Sequence, residues 1–486
     1  MKKKFNILYI AVFMLICCLP MVFRPFSGGA KQIGNEKESE FPKLFTENGL
    51  NGDFSKEADA WFSKQNPFRI PLINCENTLK LNLLQSDSGG VIQGKDGWLF
   101  SEETLDDYLG VTMTKRGAYR VARTVRLTQD AAERCGSEFV FTVIPNKNTL
   151  YAQYMPNRFI KGETSNMALV GDYLNAMNVS WLDMKQTLSS HNETLYLRDD
   201  THWNNLGALY GCAALVSYLG KAHDGLNGMQ YAYRSDRTGD LVKMAFPESG
   251  RTCGQYYFDY PHDSLSFIQP RGADVKSMLD ELAGDSEKRD GLIRTDNPSA
   301  DGSLFMVRDS FGRAMLSYLT GNYQSAVFTR YYPFTVEPGH DDFIWEIVER
   351  NIPSLTETAP RAFAARCSAA LPSAVCDSAN NLVMLDDSAN GSLRLYGALD
   401  EKMLSDESNV YVILKSGETE LCYEAFPIYE KSLETTPAGD RSAKDNGFSV
   451  TLSTEDISRG DYEIYAASDG TTAARTQLLK TITIGD

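Results

Sequence analysis

Two short stretches of this chain carry residue types that together can activate a hydroxyl group. The first spans residues 195–207, LYLRDDTHWNNLG, where Asp200 stands two positions before His202 and Trp203 follows directly. The chain has five histidines, and only His202 lies in an Asp-x-His arrangement. Residues i and i+2 of an extended segment point the same way. Asp200 is therefore expected beside the imidazole, accepting one ring N–H and leaving the other nitrogen as a base. The second stretch is Arg308-Asp309-Ser310-Phe311-Gly312. Ser310 follows an apolar strand and precedes a helix, at the sheet end where open α/β proteins bind ligands. The N–H groups of a helix start favour a developing oxyanion there. Each signal has a plainer explanation: Asp200 and His202 can simply satisfy a turn, and Ser310 can be an N-cap worth about 1 kcal/mol. Taken together they describe a Ser–His–Asp triad, which is defined by geometry and not by chain order. A metal site at Asp200 and His202 is the weaker alternative, because a single histidine makes a poor ligand set.

The flanking sequence supplies elements to hold these residues. Asn204 is a good N-cap, and Leu206, Leu209, Ala213, Val216 and Leu219 recur at helical spacing up to Gly220. Residues 139–144 (FVFTVI), ended by Pro145, read as a strand buried on both faces, and residues 304–307 read the same way. Further strands are expected at 179–182 and 326–328. Helices are expected at 77–84, 115–135, 169–177 and 341–351, the last with Phe343, Ile344, Ile347 and Val348. Val91 to Phe100 reads as a hairpin around Lys95-Asp96-Gly97. Strands alternating with helices give an α/β domain with a mainly parallel sheet. Residues 221–300 interrupt the alternation with aromatic strands around Tyr256-Tyr257-Phe258 and an acidic helix over 276–288, and read as an insertion beside the site.

With 486 residues the chain is expected to hold two or three domains. After Pro372 the texture changes to short alternating strands separated by Gly, Asp, Ser and Asn, which suggests a separate β-sandwich. Tyr396 and Tyr462 there either stack on sugar or belong to the core. The expected layout is an anchor over residues 1–24, a linker over 25–48, the α/β domain over 49–360 with its 221–300 insertion, and the β-sandwich over 373–486.

Formal net charge is −16, and the cations Lys2, Lys3, Lys4 and Arg24 all precede residue 25, so the body is more negative still. That argues against nucleic acid as a partner. The same cations flank a 19-residue apolar run from Phe5 to Phe23, interrupted by Asn6 and Pro20. A run of this kind is expected to be a retained membrane anchor, with the body outside the cytoplasm; cleavage after Ala30 is the rival. Nine cysteines occur singly, with no C-x-x-C pair, which is neither a zinc framework nor a disulfide scaffold. A bridge between Cys367 and Cys376 is left open.

The run from Gly49 to about Pro353 resembles the SGNH-hydrolase-like alginate O-acetyltransferases of the AlgX/AlgJ type and the related DHHW proteins. The resemblance rests on Gly94-Lys95-Asp96-Gly97-Trp98-Leu99-Phe100, on Val143-Ile144-Pro145-Asn146-Lys147 with Tyr151 and Pro156, on Asp200-Thr201-His202-Trp203-Asn204, and on Asp309-Ser310-Phe311-Gly312. It implies a three-layer fold with a permuted motif order, with Ser310 as nucleophile, His202 as general base and Asp200 as its orienting partner. Oxyanion donors beyond the Ser310 N–H would come from Asn146, Lys147, Arg330 or Tyr331. Arg308 departs from the Gly that such proteins often carry before Asp-Ser, and Asn66-Pro67 from a His-containing turn. The resemblance implies an extracytoplasmic O-acetyltransferase acting on a cell-surface or secreted polysaccharide, with no cofactor. An integral-membrane acyltransferase would be the partner that supplies acetyl groups. A carbohydrate acetylesterase using the same triad and an inert glycan-binding surface protein are the alternatives. By analogy with AlgX, the C-terminal β region would bind carbohydrate.

Overall fold

The computed structural model describes residues 2–23, 40–46, 49–83, 87–221, 229–259, 267–268, 291–357, 359–369, 371, 375–376, 381–387, 391–428, 446–470 and 475–484. Strand Ser303–Val307 shows why a sheet occupies the middle of the first half. Leu304 and Met306 enter one apolar cluster and Phe305 and Val307 another, so the strand must be covered on both faces. Helices Met184–Ser189 and Asn205–Tyr218 cover one face, and helices Lys115–Arg134 and Asn166–Ala176 the other. The seven-stranded sheet runs Trp181–Asp183, Glu138–Ile144, Asp342–Val348, Ser303–Val307, Ser325–Thr329, Leu292–Asp296, Phe267–Ile268. The first five are parallel and the last two add antiparallel. This is the mixed α/β architecture expected.

One element was assigned the wrong type. Residues 341–351, expected as a helix, form the central strand Asp342–Val348 followed by a 3-10 segment, Glu349–Thr356. Every residue of that strand is buried. A strand covered on both faces loses its alternation, and Phe343, Ile344, Ile347 and Val348 then imitate a helical stripe. Upstream, the helix expected at 77–84 is displaced: Arg69–Asn77 is α-helical and continues into a π-helical turn, Thr78–Leu83.

The C-terminal region is β-rich. Its strands form one nine-stranded sheet, eight of them along a single path and Arg366–Cys367 paired beside it, and Thr419–Ile428 changes partner along its length. Its first part pairs with Val410–Ser416, and Phe426–Ile428 pairs with Gly447–Ser453. Leu395, Val412, Phe448, Val450 and Ile464 from both halves share one core. Tyr462 is buried in that core, and Tyr396 packs against the α/β core, so neither presents a free ring for sugar. The region sits against helix Lys115–Arg134: the Arg123 guanidinium forks onto the Glu424 carboxylate, and the Tyr119 hydroxyl donates to Asn409 Oδ1 at 2.9 Å.

Residues Lys2–Phe23 form a helix with Pro20 inside it. Among the described residues no helix is long and apolar enough to cross a membrane, so the spanning anchor expected over 1–24 is not supported. The linker expected at 25–48 lies largely outside the described residues, and the acidic helix expected at 276–288 lies wholly outside them.

Candidate active site

The fold brings Asp200, His202 and Ser310 together. His202 Nε2 lies 2.9 Å from Ser310 Oγ, and His202 Nδ1 lies 2.7 Å from Asp200 Oδ1. The local backbone differs from the expected extended segment. Residues 198–202 form a tight turn, closed by a bridge between Tyr196 and Trp203. Asp200 reaches the imidazole because the turn folds back: its Oδ1 also accepts the His202 backbone N–H at 3.0 Å. A carboxylate bonded to both nitrogens fixes ring position and tautomer together. Asn204 then caps the following helix, accepting from Gly207 N at 2.9 Å.

Ser310 has helical dihedrals, φ −69° and ψ −25°, and makes no side-chain cap bond, so its hydroxyl is turned toward His202. Its turn is tightly held. Asp309 Oδ1 accepts from Phe311 N at 2.8 Å, and Asp309 Oδ2 accepts from Val348 N at 2.8 Å and Asn351 Nδ2 at 3.2 Å. Gly312 is required there, since a Cβ would meet Arg308 Cβ at 2.6 Å and Glu346 Oε2 at 2.7 Å. Arg308, the departure noted in the sequence, is buried and donates to the Asp309 carbonyl at 3.0 Å. It braces the turn. The His202 and Ser310 turns are also joined directly, as Trp203 Nε1 donates to the Phe311 carbonyl at 3.1 Å.

The comparisons with known proteins bear on this site. Residues 91–290 match the family described as SGNH hydrolase-like domain, acetyltransferase AlgX. This chain resembles the AlgX and AlgJ proteins. The protein named probable alginate O-acetylase AlgJ from Pseudomonas putida is 26% identical over 193 residues, covering 38% of this chain and 48% of that one. Its namesake from Pseudomonas aeruginosa is 30% identical over 165 residues, covering 33% and 40%. The chain thus spans about half or less of the curated relatives it matches. Among solved structures, a DHHW family protein from Eubacterium siraeum aligns at TM-score 0.40 and 17% identity over 55% of this chain and 93% of its own. The O-acetyltransferase domain of Pseudomonas putida AlgJ aligns at TM-score 0.34 and 17% identity over 54% and 92%. The matched stretch ends before Ser310 and includes the whole His202 turn.

Within that stretch lies a residue the sequence reading missed. Asp240 begins the short helix Asp240–Ala245, in the segment read as an insertion. Its Oδ2 lies 3.4 Å from His202 Nδ1, and its Oδ1 accepts from Thr201 N at 2.7 Å. Its backbone N–H donates to Asp200 Oδ2 at 3.2 Å, and Arg237 Nη2 lies 3.4 Å from the same oxygen. Gly239 permits the approach, because a Cβ there would fall 1.9 Å from the Asp199 carbonyl oxygen. Glycine before Asp240 was the available signal, and it is weak by itself. Ligand atoms of Asp200, His202 and Asp240 lie within 4.8 Å of one another, close enough for one cation. A proton on the imidazole can meet the same need. Burial opposes the charged ring, but the hydrogen bonds to Asp200 and Asp240 outweigh it and lift His202 to about 9. Burial likewise opposes charge on Asp200, yet the His202 bonds and Arg237 hold its carboxyl well below the usual range.

Two proposed oxyanion donors face elsewhere. Asn146 is fully buried and donates to Asp107 Oδ2 at 3.0 Å. Lys147 is buried with its amine on the carbonyls of Leu197, Arg198 and Asp200 at 3.1, 3.1 and 2.6 Å, over the rings of Trp98 and Phe100. It supports the His202 turn from below. Arg330, by contrast, lines a cavity of about 560 Å³ together with His202, Ser310, Arg237, Arg313 and Gln255. Tyr331 is half exposed and is not among the lining residues.

Proposed function

We propose that this protein is an extracytoplasmic O-acetyltransferase acting on a cell-surface or secreted polysaccharide through an acetyl-Ser310 intermediate. The observation that carries this reading is the hydrogen-bonded line from Ser310 Oγ through His202 to Asp200, at 2.9 and 2.7 Å, in a chain similar to AlgJ. Ser310 Oγ attacks the acetyl carbonyl carbon while His202 Nε2 takes the hydroxyl proton. The imidazolium returns that proton to the departing donor oxygen, leaving acetyl on Ser310. An acceptor hydroxyl, deprotonated by His202, then attacks the ester and restores the free serine. Asp200 holds the tautomer and stabilises the imidazolium. The Ser310 backbone N–H and the Arg330 guanidinium serve the oxyanion in this reading.

Arginines 237, 313 and 330 in the cavity wall support a polysaccharide acceptor, because they offset locally the −16 charge of the chain. A cleft of about 560 Å³ suits a few sugar units. An integral-membrane acyltransferase is the proposed acetyl source. The basic residues and apolar helix Lys2–Phe23 support export of the body. Hydrolysis would follow the same route with water as acceptor.

The deciding experiment is mass spectrometry of the protein after brief exposure to a small acetyl ester. An acetyl adduct on Ser310 is expected, and its absence from a catalytically competent protein would sink the reading. Oligosaccharide added to the acetylated protein separates transfer from hydrolysis.

A further inference from the structure

Outside the cleft, two thiols face each other where the chain passes from the α/β half into the β-rich region. The two-residue strand Arg366–Cys367 pairs antiparallel with Thr419–Ile428, and Cys367 stands directly opposite Cys422. Their sulfurs lie 3.1 Å apart as free thiols. Directly opposed antiparallel residues have Cα atoms about 4.5–5.5 Å apart, inside the roughly 4.4–6.8 Å range that a disulfide spans. The strand register therefore places the pair within bridging reach. Cys422 is steadied by its neighbours, packing on the cluster of Ile413, Tyr465 and Ala467 with Leu371. The sequence offered Cys376 as the partner of Cys367; the strand register offers Cys422 instead.

We propose that Cys367 and Cys422 are a disulfide-forming pair that closes in an oxidising compartment and staples the inter-region segment to the C-terminal sheet. The oxidant is a donor disulfide, either a small-molecule disulfide or a protein one. Cys367 thiolate attacks one donor sulfur, and the other donor sulfur leaves as thiolate and takes up a proton. Cys422, losing its proton, then attacks the Cys367 sulfur of the mixed disulfide and releases the second donor thiol. Two protein thiols are oxidised and one donor disulfide is reduced to two thiols. Cys367 is the natural attacker, because the hydrogen bond from Cys422 holds its thiol down to about 7. The closed loop would link positions 55 apart in sequence, which restricts the unfolded chain substantially.

The test uses the full chain treated with oxidised glutathione, denatured in iodoacetamide without reductant, digested and mapped by mass spectrometry. A peptide linking Cys367 to Cys422 is expected, together with a Tm that drops by about 5 °C or more on reduction. A Cys367→Ser/Cys422→Ser variant should lose that reductant-dependent drop. Full alkylation of both cysteines after oxidation, or linkage of either one to a different cysteine, would overturn the proposal. Exposure to glutathione in vitro keeps this result independent of both the acetyl-transfer reading and the compartment.

Discussion

The two halves of the molecule are both built on sheets, but they bury very different things. In the α/β half the buried set includes Asp107, Arg120, Lys147, Asp199, Asp200, Arg308, Asp342, Glu346 and Glu349. In the β-rich half the buried polar groups among the described residues are Ser408, Ser449, Ser468 and Thr476, none of them charged. Burying a charge costs several kcal/mol unless partners surround it. Part of that cost falls around the Asp200–His202–Ser310 group. Glu346 accepts the Asp309 N–H beside Ser310, Lys147 braces the His202 turn, and Arg237 with Asp240 flanks Asp200. Burial and the neighbouring Asp309 carboxylate push Glu346 well above the usual carboxylate range. Among the described residues the second half buries apolar side chains and these four uncharged polar groups.

The largest expected effect tests whether the residues that the first half brings together serve one reaction. Ser310→Ala and His202→Ala should each lower acetyl ester turnover by about a thousandfold or more, and the double variant should be little worse than either. Independent, multiplying losses would show that these residues do not act as a unit. An intermediate effect is expected at Asp240. With His202 raised to about 9, turnover of the wild type should climb with pH toward that value as the base becomes neutral. Asp240→Asn removes one of the two carboxylates and should move the midpoint downward, with about a tenfold or smaller change in plateau rate. A pH–rate profile checks both, and an unmoved midpoint would make Asp240 merely structural. The same raised value has a stability counterpart. His202 binds its proton more tightly in the folded than in the unfolded chain. Its contribution is therefore fully present below about pH 6.5 and lost as pH rises through about 9. The smallest effect separates the two halves. Arg123→Met should cost about 3 kcal/mol by stranding Glu424, whereas Arg123→Met/Glu424→Leu should come back to near neutral in thermal melts, with turnover unchanged in both.

Much of this was legible before the structure. Ser310, His202 and Asp200 could be named because each sits at a strand or helix boundary marked by its own neighbours: Asn204 as cap, Gly312 at a crowded turn, an apolar strand before Arg308. The short C-terminal strands were visible because Gly, Asp, Ser and Asn punctuate them. Asp240 was not visible, because it reaches the imidazole across 38 positions through a turn whose closure depends on tertiary packing. Strand Asp342–Val348 was misread because full burial erases the alternation that identifies a strand. Cys422 could not be matched to Cys367 without knowing the strand register.

Lys147 has a consequence beyond support. Its ammonium sits among three carbonyl oxygens of the base turn much as a coordinated ion sits in a peptide cage. The turn is, in effect, a chelate whose cation is tethered to the scaffold by four methylenes. Burial lowers that amine to about 8, against the pull of Asp240, Asp200 and Asp199. Alkali that frees the imidazole therefore also discharges the ion around which the imidazole's own loop is wrapped. The loop's cation and its imidazole thus answer to the same alkaline range from opposite sides of one turn.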